Sequence, residues 1–409
     1  MGFCTRAIES VRTLVYVLCL TAPRASLVVV VLATVLVGAT TAGARPPELP
    51  KQVGGPHVLV HYDPAVTSDA AAKSVLDAAE TAWTTEVGQW GFTQPPVDGG
   101  LGGDDRTDIY LMTPEEGSEG GFATTDDELD NGGGFIELDP KFARGAFVAH
   151  ELFHLIQYGY LTGDRPFLYE ATAEWAAANI FPTADLSKPL FLTHPEGSLD
   201  CDPVASCAGD VGYGQWPFFQ YVSERYGPQT VRAIWEQYSQ LDGEGSQALP
   251  AIAAALAAQG GSLADAWNGY VRENLTPGAY ANPLLKALKA STPASQPLGL
   301  SARAMTGAAT LRIDHLAARY LSIKAACTKK KRKAKQLKIT VQLPAGSASA
   351  PALRLAAPGE APSVTPLTVS GTTDTAAVPF ANCATAILAI PNPSATADGA
   401  SFTVTVSAR

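Results

Sequence analysis

The stretch Val148–Tyr160, "VAHELFHLIQYGY", sets His150, Glu151 and His154 in a segment that is otherwise almost wholly apolar. On a helix, residues four apart share one face, with Cβ atoms about 5–6 Å apart. His150 and His154 can therefore bring two imidazole nitrogens to one ion, at the ~2.0–2.1 Å that zinc prefers. Glu151 stands one residue round from the first histidine. From there it can reach a water on the metal without ligating the metal, acting as general base and then passing the proton to a leaving amine. With six histidines in 409 residues, the pattern arises by chance in roughly one chain in a few hundred. Phe147, Val148, Ala149, Leu152, Phe153, Leu155 and Ile156 surround the polar trio and predict a buried helix. Burying those groups without partners costs on the order of several kcal/mol, and a metal supplies the missing partner.

A catalytic zinc usually keeps three protein ligands and an open position. The metzincin extension would place a glycine at 157 and a histidine at 160, where this chain has Gln157 and Tyr160. The next predicted helix, "FLYEATAEWAAANI" from Phe167 to Ile180, offers Glu170 and Glu174, again four apart. The turn "GDRP" (Gly163–Pro166) is short, so the two helices pack antiparallel. Glu170 is the expected third ligand. Glu174 is expected to hydrogen-bond a ligand histidine from behind, with exchange of the two glutamates and a solvent-facing Glu174 both left open.

"HELFH" followed by "YEATAEW" resembles the gluzincin clan of zinc metallopeptidases, whose ligands are two histidines and a glutamate on a following helix. More closely, the stretch from "HVLVHYD" to "RENL" is similar to a group of secreted bacterial metalloproteases. These pair an H-E-x-F-H-x-x-Q helix with a Glu-(Gly/Ala)-Thr-Ala-x-Trp helix. The matching residues are His150, Glu151, Phe153, His154 and Gln157, then Glu170, Ala171, Thr172, Ala173 and Trp175. Ala171 stands where glycine is frequent. The resemblance implies a zinc peptidase fold and peptide hydrolysis, and names no substrate. Gluzincins often stabilise the oxyanion with a downstream Tyr or His. On that ground Tyr213, in "VGYGQWPFF", is the expected fourth catalytic residue and His194 a second candidate; a packing aromatic and a surface histidine are the plainer readings.

Upstream, Arg6, Arg12 and Arg24 precede the apolar run Leu27–Val37, and Ala42-Gly43-Ala44 gives a small-x-small site. Residues 1–44 read as a signal peptide cut between Ala44 and Arg45, so the protein is expected to be secreted or extracellular. The alternative is an uncleaved anchor, although the run is shorter than the ~20 residues a spanning helix needs. Four cysteines remain beyond the signal, an even number that suits disulfides in an exported chain. Cys201 with Cys207 and Cys327 with Cys383 is one pairing, and others are formally allowed.

Residues 45–56 read as a Pro-rich linker, 57–289 as the metallopeptidase domain and 290–302 as a second linker. In 303–409 the runs "RYLSIKA", "LKITVQL", "AILAI" and "SFTVTVS" between Pro, Gly and Ser turns predict a β-sandwich. The fold class is therefore α+β: a zincin-like domain with a small sheet, active-site helix and helical second lobe, then an all-β domain. An edge strand near Phe135–Leu138 is expected to pair with an extended substrate.

A net charge of −10 argues against a nucleic-acid partner. The acidic loop Thr124–Gly134, with Asp126, Glu128 and Asp130 alternating, reads as solvated, with Ca2+ as the alternative. The basic run Lys329–Lys333 reads as a solvated loop, with contact to an anionic cell surface as the alternative. The expected activity is a secreted zinc metallopeptidase acting on a protein or peptide, with no stable membrane insertion after signal cleavage. The rivals are a catalytically silent adhesive protein on the same scaffold and a zinc hydrolase of cell-wall peptides.

Overall fold

The apolar runs "VLVHY" and "TDIYL" become adjacent parallel strands whose residues are buried on both faces, which is why they do not alternate. The computed structural model describes residues 44–113, 120–161, 166–182, 187–201, 211–241, 248–288, 291–300, 306–324, 335–370, 372–381 and 383–408. Its first half is built on β1 (Lys51–Gly54), β2 (Val58–Tyr62), α1 (Asp69–Trp83), β3 (Thr107–Leu111), β4 (Gly121–Thr125) and β5 (Gly134–Leu138). The sheet order is β1-β2-β3-β5-β4. β2, β3 and β5 run parallel, and antiparallel β1 and β4 form the two edges. Ser68 caps α1 by accepting the Ala71 amide, and Ala72, Val75, Leu76 and Ala79 carry its buried stripe.

Two expectations change here. The strand near Phe135–Leu138 is interior, because Ile136 faces Ile109 on one side and Ala123 on the other. The edge strand on that side of the sheet is β4. Glycines let the β4–β5 hairpin close: a Cβ at Gly134 would lie 2.0 Å from the Thr124 carbonyl oxygen. Residues 45–56 are part of the fold and not a tether. Lys51–Gly54 pairs with β2, and Arg45 is held inside the domain.

Arg45 bonds Asp126 through Nε at 2.9 Å and Asp98 through Nη2 at 2.8 Å, and contacts Asp108 through Nη1. Its guanidinium also lies over the Phe135 ring, 5.3 Å from the centroid. The three carboxylates are buried, and Asp108 also meets His61 Nε2 at 2.7 Å. Burial pushes the Asp98 carboxyl up to about 6, against the pull of Arg45. Arg45 thus ties the loop before β3, β3 itself and the residue after β4 with one side chain. It also takes up Asp126, one of the carboxylates considered for calcium.

The helices follow: α2 (Gly145–Tyr158), α3 (Pro166–Ile180), α4 (Val211–Gly214), α5 (Trp216–Tyr226), α6 (Gln229–Gln240), α7 (Ala248–Ala258), α8 (Leu263–Glu273) and α9 (Pro283–Ala287). Asp139-Pro140 precedes α2. It forms a separate turn in which Asp139 accepts the Lys141 amide, and the helix begins at Gly145. A Cβ there would lie 2.8 Å from the Phe181 ring, so glycine permits the close approach.

The remaining strands are β6 (Gln296–Pro297), β7 (Thr306–Ile313), β8 (Ala317–Lys324), β9 (Lys335–Gln342), β10 (Ala352–Ala356), β11 (Ser363–Pro366), β12 (Thr368–Ser370), β13 (Thr373–Phe380), β14 (Thr385–Asn392) and β15 (Ala400–Ala408). They make two sheets, β11-β10-β14-β8-β6 and β12-β13-β9-β15-β7, around a shared apolar core. The protein is therefore a mixed α/β molecule with a C-terminal all-β region. In β14, Ala386, Leu388 and Ile390 point into that core, whereas Ile387 and Ala389 join the core of the helical half. The two halves are further joined by Trp267 Nε1 to Ala317 O at 3.2 Å and by His315, which bridges Asp200 and Asp398. The stretch expected as a second linker is held on both sides: Ala294 N reaches Phe191 O, and Leu298 N reaches Ser322 O.

Cys201 and Cys383 each take part in a disulfide. Cys207, Cys327, the basic run Lys329–Lys333 and the signal segment lie outside the described residues. No helix among the described residues is long and apolar enough to cross a membrane.

Removing the cation from a buried carboxylate cluster leaves uncompensated charge and costs about 3–5 kcal/mol. Arg45→Met is expected to lose stability of that order in urea unfolding of the chain beginning at Arg45. A change below about 1 kcal/mol would be the size of an exposed pair and would contradict this account of the cluster.

Candidate metal centre

α2 is buried along nearly its whole length, and so are the three polar side chains of its motif. Their exposures are 6% for His150, 5% for Glu151 and 8% for His154. α3 packs antiparallel beside it, with the small Ala171 and Ala173 fully buried. The hairpin brings Glu170 back over the histidines. His150 Nε2 lies 3.0 Å from His154 Nε2 and 3.2 Å from Glu170 Oε2, and His154 Nε2 lies 3.5 Å from the same oxygen. Donors at ~2.0–2.1 Å from a tetrahedral ion stand about 3.3–3.4 Å apart. The triangle thus has the size that a small tetrahedral ion with two nitrogen ligands and one oxygen ligand requires. Among the described residues it is the one such group of His, Cys, Asp or Glu.

Protons answer the charge in the metal-free chain. Burial alone would lower the His150 pKa. The hydrogen bond to Glu170 and the carboxylates of Glu151, Glu170 and Glu174 outweigh it and raise the imidazole to about 9. Burial alone would raise Glu170, yet the two imidazoles hold its carboxyl well below the usual range.

Glu151 projects to the side of the triangle, where its Oε2 accepts the Ala123 amide at 2.9 Å. Tyr158, seven residues on, donates to the Ala123 carbonyl at 3.1 Å. Both backbone groups of this β4 residue are therefore bonded to α2.

Tyr213 is brought to the site by α4. Its ring stacks on His150 at 5.8 Å between centroids. Burial raises its hydroxyl well above the ordinary phenol value, and the carboxylates of Glu170 and Glu151 push the same way. His194 does not reach the site. It is half exposed beside Glu196, with Nδ1 3.5 Å from the carboxylate.

Glu174 departs from expectation. Its Oε1 accepts from Ser187 Oγ at 2.8 Å, and its buried Oε2 has no hydrogen-bond partner. Burial raises its pKa. The hydrogen bond to a ligand histidine is made by Gln157, whose Oε1 lies 2.7 Å from His154 Nδ1. Sequence reasoning assigned Gln157 no role, although its i,i+3 spacing from His154 places the two on one helix face. Ala123 gave no signal, because its part is played by the backbone.

A family of unknown function, DUF6055, matches residues 59–250, which hold the whole centre. No curated protein matches the chain. Among solved structures, the pre-peptidase C-terminal domain of a collagenase from Bacillus anthracis is 16% identical, covering 28% of this chain and 95% of that one with a TM-score of 0.20. PliG, a periplasmic inhibitor of g-type lysozyme from Aeromonas hydrophila, is 13% identical, covering 28% and 96% with a TM-score of 0.20.

The raised His150 value has a definite sign. Against an unfolded value near ~6.5, its interactions contribute stability that is fully present below about pH 6.5 and lost as pH rises through about 9. Thermal unfolding of the chelator-treated protein should show this loss between pH 6 and pH 10, worth up to about 3 kcal/mol. His150→Ala should flatten that segment of the profile. An unchanged profile in the variant would contradict the assignment.

Proposed function

We propose that this protein is an exported, zincin-like zinc metallopeptidase of gluzincin type. The observation that carries the reading is the triangle of His150 Nε2, His154 Nε2 and Glu170 Oε2. The adjacent Glu151 and Tyr213 suit hydrolysis, since a structural zinc site needs neither a base nor a hydroxyl beside it. In this reading residues 45–289 form the peptidase, β1 and Arg45 included, and 303–409 an accessory domain.

Zinc held by His150, His154 and Glu170 would polarise a scissile carbonyl and make water acidic enough to lose a proton near neutral pH. Glu151 is the general base. The Ala123 amide fixes one carboxylate oxygen, and the other takes a proton from the attacking water. The same carboxylic acid then gives that proton to the departing nitrogen, so the base is regenerated as the C–N bond breaks. Tyr213 stays protonated throughout, given its raised pKa, and donates a hydrogen bond to the oxygen that becomes negative in the transition state. The substrate is a peptide or protein, bound from the open side of the triangle.

Glu151→Gln should bind one equivalent of zinc, as the wild type does, and cleave a mixed peptide library about 10²–10⁴-fold more slowly. Tyr213→Phe should keep the metal and lose about 10²–10³-fold in kcat. Equal cleavage by wild type and Glu151→Gln, read by mass spectrometry of the library, would sink the mechanism.

A further inference from the structure

Gln157 is fully buried. Its Nε2 donates to the Tyr169 carbonyl and to Thr172 Oγ1, each at 2.9 Å. A peptide carbonyl only accepts, so the end of the amide at Tyr169 must be the NH2 group. The other end, Oε1, is then the atom that meets His154 Nδ1 at 2.7 Å, and it too only accepts. His154 must carry its proton on Nδ1. That leaves the Nε2 lone pair aimed at His150 Nε2 and Glu170 Oε2.

The amide also holds the helix that brings Glu170. Tyr169 and Thr172 bracket that residue on α3. Thr172 is itself fixed, since its hydroxyl donates to Leu168 O at 2.7 Å while accepting from both Gln157 and Trp235 Nε1. Its one donor and two acceptor capacities are all used. One side chain therefore sets the tautomer of the second ligand and the distance to the third.

We infer that Gln157 is the positioning residue of the centre, fixing His154 in its metal-binding tautomer and locking Glu170 within reach. The inference rests on the zinc reading given above. An amide does not titrate, so this support is the same at every pH at which the protein folds, unlike that of a carboxylate in the same place.

Two readouts test it without using activity. The first needs no variant: long-range 15N–1H correlation on the 15N-histidine-labelled, metal-free protein, with His154 neutral and assigned by comparison with His154→Asn. The proton is expected on Nδ1, and a proton on Nε2 would overturn the inference. The second is zinc affinity by competition with a chromophoric chelator. Gln157→Leu is expected to weaken zinc by about 10–100-fold. Gln157→Glu keeps the acceptor for His154 but loses the donor to the Tyr169 carbonyl, so it should recover only part of that loss, and Thr172→Val should weaken zinc less than Gln157→Leu does. Equal zinc affinity in wild type and Gln157→Leu would overturn the positioning role while leaving the metal reading intact. Failure of the wild type to bind zinc would remove the metal reading, and Gln157 would be left a packing residue.

Discussion

Two imidazole nitrogens and a carboxylate oxygen lie within 3.5 Å of one another inside a buried helical hairpin. That convergence is the constraint the rest of the first half serves. Polar groups in such a place must be compensated, because removing a partner from a buried charged network costs several kcal/mol. In the metal-free chain the neighbouring carboxylates favour the protonated form of His150, whose pKa rises to about 9 against the effect of burial. A divalent cation would satisfy the same three atoms and displace that proton, which couples metal affinity to pH.

Each neighbour of the triangle has a role that follows from this demand. Gln157 orients one ligand and pins the helix carrying another. The edge strand β4 contributes a backbone amide to Glu151, so the carboxylate beside the proposed metal is held by the sheet and not by another side chain. β4 is in turn anchored through Asp126 to Arg45, far away in sequence. A chain from Arg45 to the proposed base thus runs through one buried ion cluster and one strand. The β region shares its outer face with the helical core through Ala318, Tyr320, Ile387 and Ala389.

What could be read from sequence was local. The periodicity of "VAHELFHLIQYGY" and "YEATAEW" placed α3 to within a residue and put Glu170 opposite the histidines, while the start of α2 stayed open between Asp139-Pro140 and Gly145. Hydrophobic runs located β2, β3, β5, β8, β9, β14 and β15, but not β7 or β13. The unreadable parts depend on partners distant along the chain. Gly121–Thr125 has no apolar alternation, so β4 is recognisable only once it pairs with β5. Lys51–Gly54 is mostly exposed and sits among prolines, so its pairing with β2 leaves no trace in composition. Arg45 at the predicted signal boundary gives no hint of three aspartates lying 53 to 81 residues away. Glu174 went astray for a related reason: the hydroxyl that it accepts from belongs to Ser187, beyond the end of its own helix.

The measurement that bears most directly on the central claim is zinc K-edge absorption fine structure of the metal-loaded chain, compared with Glu170→Ala. The account predicts one zinc with four light-atom neighbours at about 2.0–2.1 Å, including two imidazoles, and a lost or weakened site in the variant. Sulfur at about 2.3 Å, or an identical spectrum with Glu170 removed, would contradict it.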